Sequence, residues 1–326
     1  MLTALSGRDQ LDLFGTYVDD PRSRVGTGIE PLDRHLRRGG LAAGELALLG
    51  GRPGTRKTAI VINIIVNMLR NGVATGVVGL DENGATSYIA KILSAMSGAS
   101  LDRIEETWPN KHLLDEYETL AENLVMYEGN RPSLKTLSGW LMECEVVSVK
   151  PQVVFIDYAS LLARWHQDGG ENQRVMRLME GLKVWTKENE VATVALHHIG
   201  RLTEGQGLRN HGDTPMTADD LRYGGEEVAD IVLGAYRPSL DPIAEMRWEI
   251  ARAYKGDKFT EEDYQGHIDR ARKYQDFTFL QLLKNRPSLQ PTGQVKQGLP
   301  LRSLGESMKM EIDMSILDDE VQAYGP

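Results

Sequence analysis

The segment Gly51-Arg52-Pro53-Gly54-Thr55-Arg56-Lys57-Thr58 is the most informative part of the sequence. Residues 45–49 before it predict a buried strand. Residues 58–70 after it are apolar nearly all round, as in a helix buried under a sheet. A glycine-rich turn that joins a strand to a helix is the setting of a phosphate-binding loop, whose backbone N–H groups would hold the phosphates of ATP. We predict that the whole stretch binds the nucleotide, with Lys57 at the β- and γ-phosphates and Thr58 on Mg²⁺.

One residue departs from the phosphate-loop pattern GxxxxGK[ST], because Arg56 stands where the second glycine belongs. A glycine there lets the backbone approach a phosphate closely and adopt unusual φ and ψ angles. Arginine adds bulk at this position, but it also adds positive charge. We predict ATP binding. The alternatives are a coincidental glycine-rich turn and a normally folded loop that binds ATP weakly.

Strand and helix patterns alternate along the rest of the chain. Further strands are predicted over residues 75–80, 153–156, 191–196, 231–235 and 277–283, and helices over residues 88–97, 134–149 and 172–189. This alternation predicts an α/β fold with a mainly parallel, doubly wound sheet, as in phosphate-loop NTPase cores.

Composition divides the chain into three parts. Residues 1–24 are polar with one apolar cluster at helical spacing, which predicts an amphipathic arm that docks on a neighbouring subunit, or a frayed terminus. Residues 25–295 are predicted to form the ATPase core. Within the core, residues 241–273 mix acidic and basic side chains, which predicts a solvated helical insertion. Residues 296–326 are predicted to form an acidic tail.

The composition also narrows the class of protein. A net charge of −10 argues against a wholly basic protein that coats nucleic acid, but it permits DNA binding in a small basic channel. The chain has a single cysteine and lacks Cys/His clusters with zinc spacing, which fits a reducing compartment. Neither a signal-peptide pattern nor a membrane-spanning apolar run occurs in the sequence. We expect a cytoplasmic protein that does not enter a membrane.

Carboxylates follow two of the predicted strands. Residues 153–156 are apolar and lead directly into Asp157. Open α/β sheets bind ligands at the carboxyl ends of their strands, so Asp157 is predicted to hold Mg²⁺ beside the phosphate loop. The strand at residues 75–80 leads into Asp81 and Glu82. Either carboxylate could polarise the water that attacks the γ-phosphate, or could simply cap the following helix.

Two loops that follow predicted strands are candidates for binding a ligand. They cover residues 163–172 and 201–218 and are rich in glycine and polar side chains, as ligand-gripping loops often are. Loops with no partner are the alternative. Arg164, Arg201, Arg209 and Arg222 supply positive charge in or near these loops. Just before the second loop, His197 and His198 end a predicted strand, where they could sense the γ-phosphate or could be ordinary polar residues at a strand end.

The motifs together resemble the RecA-like motor domain of DnaB-type replicative DNA helicases, over about residues 25–293. The resemblance rests on Thr27-Gly28-Ile29-Glu30-Pro31-Leu32-Asp33, Gly51-Arg52-Pro53, Gly79-Leu80-Asp81-Glu82, Ile156-Asp157-Tyr158, Leu196-His197-His198-Ile199-Gly200-Arg201, Asp220-Leu221-Arg222-Tyr223-Gly224-Gly225 and Lys284-Asn285-Arg286.

This resemblance implies roles for individual residues. The motif register gives the catalytic role to Asp81, whereas spacing and residue type favour Glu82. His198 replaces the family's sensor glutamine. Arg286 would be an arginine finger that reaches the nucleotide of the next subunit, and Lys284 would be its companion.

The resemblance also implies partners. Arg222, Tyr223 and Gly225 would contact the backbone of single-stranded DNA in the central channel of a homo-oligomeric ring, expected to be a hexamer. The loops at residues 163–172 and 201–218 would line that channel, and Arg164, Arg201 and Arg209 would add positive charge to it. A loader or a primase would be a further partner. A compact motor of this kind would suit a phage or plasmid replication system.

Two other functions remain open on the same fold. A RecA-like recombinase or recombination mediator would form filaments on DNA, so electron micrographs would show filaments in place of rings. A nucleotide-sensing assembly factor would hydrolyse little ATP, and Arg56 is its best support. DNA binding without ATP turnover would indicate that second function.

Overall fold

A computed structural model of the chain describes residues 7–20, 24–80, 84–164, 170–198, 212–221, 225–288 and 298–316. Across these residues, no helix combines the length and the apolar character that crossing a membrane would require.

Most of the strands belong to one large sheet. In chain order the strands are β1 (Arg24–Val25), β2 (Leu41–Ala42), β3 (Leu46–Gly51), β4 (Thr75–Gly79), β5 (Leu124–Met126), β6 (Val153–Asp157), β7 (Ala192–His198), β8 (Ile231–Tyr236), β9 (Phe277–Asn285), β10 (Leu299–Ser303) and β11 (Met310–Ile312). Within the described residues, nine of them form a sheet in the order β11-β10-β9-β8-β3-β7-β6-β4-β5, while β1 and β2 form a separate pair. The strands from β8 to β5 run parallel. The strands β9, β10 and β11 are antiparallel.

Helices cover both faces of this sheet. They are α1 (Gly7–Asp19), α2 (Glu30–Asp33), α3 (Lys57–Arg70), α4 (Ala85–Ser97), α5 (Leu101–Glu106), α6 (Lys111–Ala121), α7 (Leu134–Val147), α8 (Ser160–Arg164), α9 (Glu171–Glu188), α10 (Pro242–Glu245), α11 (Trp248–Lys255) and α12 (Glu261–Lys273). Several begin where the sequence supplies a cap. The Ser133 and Thr260 side chains, for example, accept hydrogen bonds from backbone N–H groups in the first turns of α7 and α12.

The core has two layers, one on each side of the sheet. Alternate residues of β3 point to opposite faces, so Leu49 packs with α3 and α4 while Leu48 packs with α7 and α9. Because the central strands are buried on both faces, they read as nearly continuous apolar runs in the sequence. The predicted α/β class with a mainly parallel, doubly wound sheet is confirmed.

The C-terminal region differs from the expectation of an acidic tail after residue 295. The strands β10 and β11 extend the main sheet beyond β9. Leu299 and Leu301 are buried against the core, whereas the acidic Glu306 and Glu311 are exposed. The acidic side chains of this region therefore lie on its outer surface, and composition alone did not predict its two strands. Residues 317–326 lie outside the described part of the chain.

The arm and the insertion are helical. Residues 7–19 form α1, and its Leu11, Phe14 and Val18 side chains are exposed. Docking of this helix on a neighbouring subunit stays a prediction. The charged segment at residues 241–273 contains α10, α11 and α12.

Candidate functional site

The phosphate loop joins β3 to α3 at the carboxyl edge of the parallel strands. Gly51 is required by close packing, because a Cβ atom there would lie 2.7 Å from Thr55 Oγ1 and 2.9 Å from the carbonyl oxygen of Ala235. Gly54 has a φ of +83°, a conformation that favours glycine. The Thr55 hydroxyl donates to the carbonyl oxygen of Arg52 at 2.8 Å and closes the turn. These contacts fix the loop in a defined shape.

Lys57 lies over the loop. Its side chain is buried, and Nζ donates to the carbonyl oxygens of Gly51 and Arg52, each at 2.9 Å. Burial lowers the pKa of Lys57 to about 8, against the opposing effect of the nearby Asp157 carboxylate. A buried ammonium with such a depressed pKa favours an anion beside it, which is the electrostatic requirement of a phosphate site.

Thr58 and Asp157 meet at the mouth of the loop. The Thr58 hydroxyl donates to Asp157 Oδ2 at 2.9 Å, and Asp157 ends β6 as its sequence position predicted. A hydroxyl and a carboxylate are the oxygen ligands that Mg²⁺ accepts, and two protein ligands with phosphate and water are its usual complement. The described residues contain no cluster of three or more His, Cys, Asp or Glu side chains that could hold a metal ion. This pair therefore fits Mg²⁺ bound together with a nucleotide.

Arg56 adopts the conformation that the missing glycine would supply. Its φ and ψ of +57° and +31° lie in the left-handed region. Its guanidinium donates to the Ser303 hydroxyl on β10 and, at 3.4 Å, to the carbonyl oxygen of Asp276 just before β9. Arg56 thus connects the phosphate loop to the C-terminal strands, and its predicted contact with phosphate stays a prediction.

Arg237 is a second arginine at the loop, and the sequence motifs did not predict it. It directly follows β8, and its guanidinium donates at 3.0 Å to the carbonyl oxygens of both Gly54 and Gln275. Burial, and secondarily the neighbouring Arg56, lowers the pKa of Arg237 to about 10. Its place at the carboxyl end of a parallel strand was the available signal.

The two histidines at the end of β7 lie beside the loop. His197 pairs with Gly50 and His198 with Gly51, so the two side chains point to opposite faces of the sheet. The His198 ring packs edge-on against Tyr158, with centroids 4.3 Å apart. Burial, and secondarily Lys57, lowers the pKa of His197 to about 4, so this imidazole is neutral at pH 7.

A pocket of about 360 Å³ opens next to the loop. One wall comes from Arg56, Lys57 and Thr58, and His198 contributes to the lining. The opposite wall is the turn between β10 and β11, residues 305–308. The pocket thus extends from the phosphate loop to the C-terminal strands.

Lys284 and Arg286 lie where the parallel strands begin, at the edge of the sheet opposite the phosphate loop. Lys284 pairs with Val232 near the start of β8, and the backbone N–H of Arg286 donates to the carbonyl oxygen of Asp230 at 2.8 Å. The Asp230 N–H in turn donates to the carbonyl oxygen of Leu46, the first residue of β3. Arg286 is therefore level with the first of the 6 residues of β3, and the phosphate loop begins at the last. Since each step along a strand adds about 3.3 Å, roughly 16 Å separate Arg286 from the phosphate loop along the strand direction.

Local contacts hold both of these basic side chains. Lys284 Nζ donates to the carbonyl oxygens of Glu226 and Glu227, and Arg286 Nη2 donates to that of Glu227 at 2.8 Å. Burial lowers the pKa of Lys284, and the adjacent Arg286 lowers it further. The edge positions of Lys284 and Arg286 place them far from the nucleotide of their own chain.

Most of the predicted DNA contacts and both candidate catalytic carboxylates lie outside the described residues. These are Asp81, Glu82, Arg201, Arg209, Arg222 and Tyr223. Arg164 is the last residue of α8. Gly225 has a φ of +96°, and a Cβ atom there would collide with the Met179 side chain on α9. Gly225 therefore has a structural reason to be glycine, whatever it contacts.

The fold and the loop together define an α/β nucleotide-binding domain of the phosphate-loop class. Residues 24–272 match the model of the DnaB-like helicase C terminal domain, and the chain belongs to that family. The resemblance inferred from the motifs is thereby confirmed.

Two relatives illustrate the similarity. The replicative DNA helicase DnaB of Helicobacter pylori (strain J99 / ATCC 700824) is 25% identical over 223 residues, which cover 65% of this chain and 44% of the relative. A probable plasmid replicative DNA helicase of Chlamydia psittaci is 24% identical over 229 residues, which cover 68% of this chain and 47% of the relative. The matched part thus spans less than half the length of each relative.

Two solved structures share the fold. The ATPase domain of G40P superimposes with a TM-score of 0.67 at 18% identity, and covers 95% of this chain and 100% of its own. A DnaB-like replicative helicase, whose interactions with primase were studied, has a TM-score of 0.67 at 17% identity. That match covers 94% of this chain and 68% of the helicase.

Proposed function

We propose that the chain is the motor of a ring-forming replicative DNA helicase, which hydrolyses ATP between copies of itself and moves on single-stranded DNA. The observation that carries the proposal is the separation of two half-sites. Lys57, Thr58 and Asp157 lie at one edge of the sheet, and Lys284 and Arg286 lie at the other. A complete site would therefore need two copies. Family membership favours the helicase over a filament-forming recombinase or a nucleotide-sensing assembly factor.

The first half-site would bind ATP through the loop backbone and Lys57. The ammonium donates to two carbonyl oxygens of the loop, and a phosphate oxygen held by the loop would replace them as its partner. Thr58 and Asp157 would hold Mg²⁺, which when bound supplies positive charge to the β- and γ-phosphates. Asp81 or Glu82, which follow β4 after Leu80, would orient the attacking water.

The second half-site would come from the neighbouring copy. Arg286 would stabilise the charge that develops on the γ-phosphoryl group, an effect worth about 10³–10⁵ in rate for arginine fingers. Lys284 would support it from the end of β9, two residues before Arg286. His198, next to the phosphate loop on β7, would respond to loss of the γ-phosphate.

Single-stranded DNA would be bound by the loops that follow β6 and β7 and by the segment that leads into β8. The proposed contacts are Arg164, Arg201, Arg209, Arg222, Tyr223 and Gly225. The relatives named above are replicative helicases, and one solved helicase was studied with primase. We therefore extend to this chain a hexameric ring in the cytoplasm, with a primase or a loader as partner.

Activity and assembly should be tested together. The purified protein should hydrolyse ATP faster when single-stranded DNA is added, and particle images with nucleotide should show rings. Filaments in place of rings would favour the recombinase. Bound DNA without any turnover would favour the assembly factor.

A mixing experiment tests the division between copies. Arg286→Ala should bind ATP almost normally but hydrolyse it at least about 10³-fold more slowly, because a transition-state contact governs turnover and not ground-state affinity. Mixing Arg286→Ala with Lys57→Ala should restore part of the activity, since some interfaces regain both intact halves. Arg272→Ala, which removes an arginine that is also exposed, on α12, should behave as wild type. If mixed assemblies form and stay inactive, Arg286 does not act between copies.

A further inference from the structure

Tyr88 contacts the carboxylate of Asp157, the proposed metal ligand, from a helix outside the phosphate-loop motif. It lies on α4, its side chain is 1% exposed, and its hydroxyl donates to Asp157 Oδ2 at 2.6 Å. A hydrogen bond of this length to a carboxylate is in the strong, charge-assisted range. The phosphate-loop pattern assigns nothing to Tyr88, so this contact is additional to the site described above.

The neighbouring sequence makes room for this tyrosine. A Cβ atom on Gly79 would lie 2.5 Å from Cε2 of the Tyr88 ring, so only glycine at the end of β4 lets the ring approach β6. Lys91 lies one turn further along α4, with Nζ 5.7 Å from the centroid of the same ring. A cation over an aromatic face is attracted to it and helps to hold the ring in place.

Two hydroxyl groups therefore donate to a single oxygen of Asp157. Thr58 Oγ1 approaches Oδ2 at 2.9 Å from the start of α3, and Tyr88 approaches it at 2.6 Å from α4. Two donors from different helices fix both the rotamer and the plane of the carboxylate. Hydrogen-bonded neighbours of a metal-binding carboxylate orient it in this way, and their loss typically weakens metal affinity about 10–100-fold.

We propose that Tyr88 is a positioning residue that holds Asp157 in the orientation needed to bind a divalent cation together with a nucleotide. The inference rests on the proposed function, because it takes Thr58 and Asp157 as the metal-binding pair. It also connects that pair to α4, the helix that follows Asp81 and Glu82. Tyr88 acts through Asp157 and touches neither the nucleotide nor the metal.

The test is metal binding by Tyr88→Phe, which keeps the ring and removes the hydroxyl. Mn²⁺ binding to the protein–ADP complex is measured by electron paramagnetic resonance, and ADP binding without metal by fluorescence of a labelled analogue. We expect the Mn²⁺ dissociation constant to rise about tenfold, while metal-free ADP affinity stays within about twofold of wild type. The matched control is Tyr264→Phe, which removes a hydroxyl that donates to the Met246 carbonyl oxygen, also at 2.6 Å, in the insertion.

Two further variants separate positioning from general damage. Gly79→Ala should push the ring away and raise the Mn²⁺ dissociation constant although the hydroxyl is kept. In an Asp157→Asn background, Tyr88→Phe should have no additional effect, because its effect passes through that carboxylate. An additional loss of the same size there would contradict the inference.

The outcomes distinguish this inference from the proposed function. If wild-type protein binds Mn²⁺ no better with ADP than without, the phosphate-loop assignment fails and the inference falls with it. If wild-type protein binds Mn²⁺ with ADP and Tyr88→Phe matches it, only the role of Tyr88 is refuted. An equal loss of metal-free ADP affinity in Tyr88→Phe would show damage to the fold and would also refute positioning.

Discussion

Replacing Arg56 by glycine would test how this phosphate loop tolerates arginine. Two effects of the change oppose each other. The left-handed backbone at +57°, +31° costs a non-glycine residue about 1 kcal/mol, which glycine would relieve. Glycine would also lose the guanidinium bonds to Ser303 and to the Asp276 carbonyl. For a half-buried cation we assign these bonds about 1–2 kcal/mol together.

A comparison with alanine isolates the two terms. Arg56→Ala loses the bonds and keeps the strain, so we expect a loss of about 1–2 kcal/mol in the free energy of unfolding. Arg56→Gly loses the bonds but relieves the strain, so its loss should be about 1 kcal/mol smaller than that of Arg56→Ala. Ser303→Ala should cost less in an Arg56→Gly background than in wild type, because the two side chains are bonded to each other.

Urea unfolding of wild type, the three single variants and the double variant gives these free energies, and labelled-ADP fluorescence gives affinity. We expect Arg56→Gly to bind the nucleotide as well as or better than wild type, since the loop keeps its shape. Equal stability of Arg56→Gly and Arg56→Ala would refute the strain argument. A more than tenfold fall in the affinity of Arg56→Gly would show that Arg56 is itself a phosphate ligand.

Three further predictions concern the nucleotide and DNA. Of Asp81→Asn and Glu82→Gln, one should lose turnover yet keep nucleotide binding, and equal activity in both would place the catalytic carboxylate elsewhere. Arg222→Ala should weaken single-stranded DNA binding and reduce its salt slope by roughly one unit for each phosphate that the arginine neutralises, with basal ATPase retained; an unchanged slope would remove this residue from the DNA path. Nucleotide affinity should fall as pH rises above about 8, because the lowered pKa of Lys57 leaves a neutral amine in the empty site. Calorimetry across pH 7–9 in two buffers should show proton uptake on binding, and a flat profile would contradict it.

Much of the core could be predicted because its signals are local. The strand before the loop, the loop itself and Asp157 at a strand end are each readable from a few consecutive residues, and the structure has β3, α3 and β6 at nearly the expected bounds. The short strand β5 escaped because its 3 residues are only half buried. The strand β10 was not predicted from the sequence, because its burial depends on pairing with β9. The acidic composition around β10 gives no reason to expect that pairing.

The contacts around the site depend on tertiary structure. Tyr88 looks like an ordinary core residue of an amphipathic helix, and only the fold brings its hydroxyl to Asp157. Gly79 was the available clue, since a glycine inside a strand pattern indicates close approach of another group. Arg56 looked like a departure from a binding motif, and its partner Ser303 lies 247 positions away in the sequence.

The opposite-edge placement of Lys57 and Arg286 bears on the symmetry of an active assembly. In a two-fold symmetric pair, both copies contribute the same surface patch to the interface. If such an interface brought Lys57 of one copy to Arg286 of the other, that patch would have to include both edges of the sheet. Head-to-tail contacts need only one edge from each copy. An open row of such contacts leaves an incomplete site at each end, whereas closure makes the number of active sites equal to the number of chains. Closing a row of chains into a ring would therefore complete one additional active site. Opening the ring to admit DNA would leave one active site incomplete.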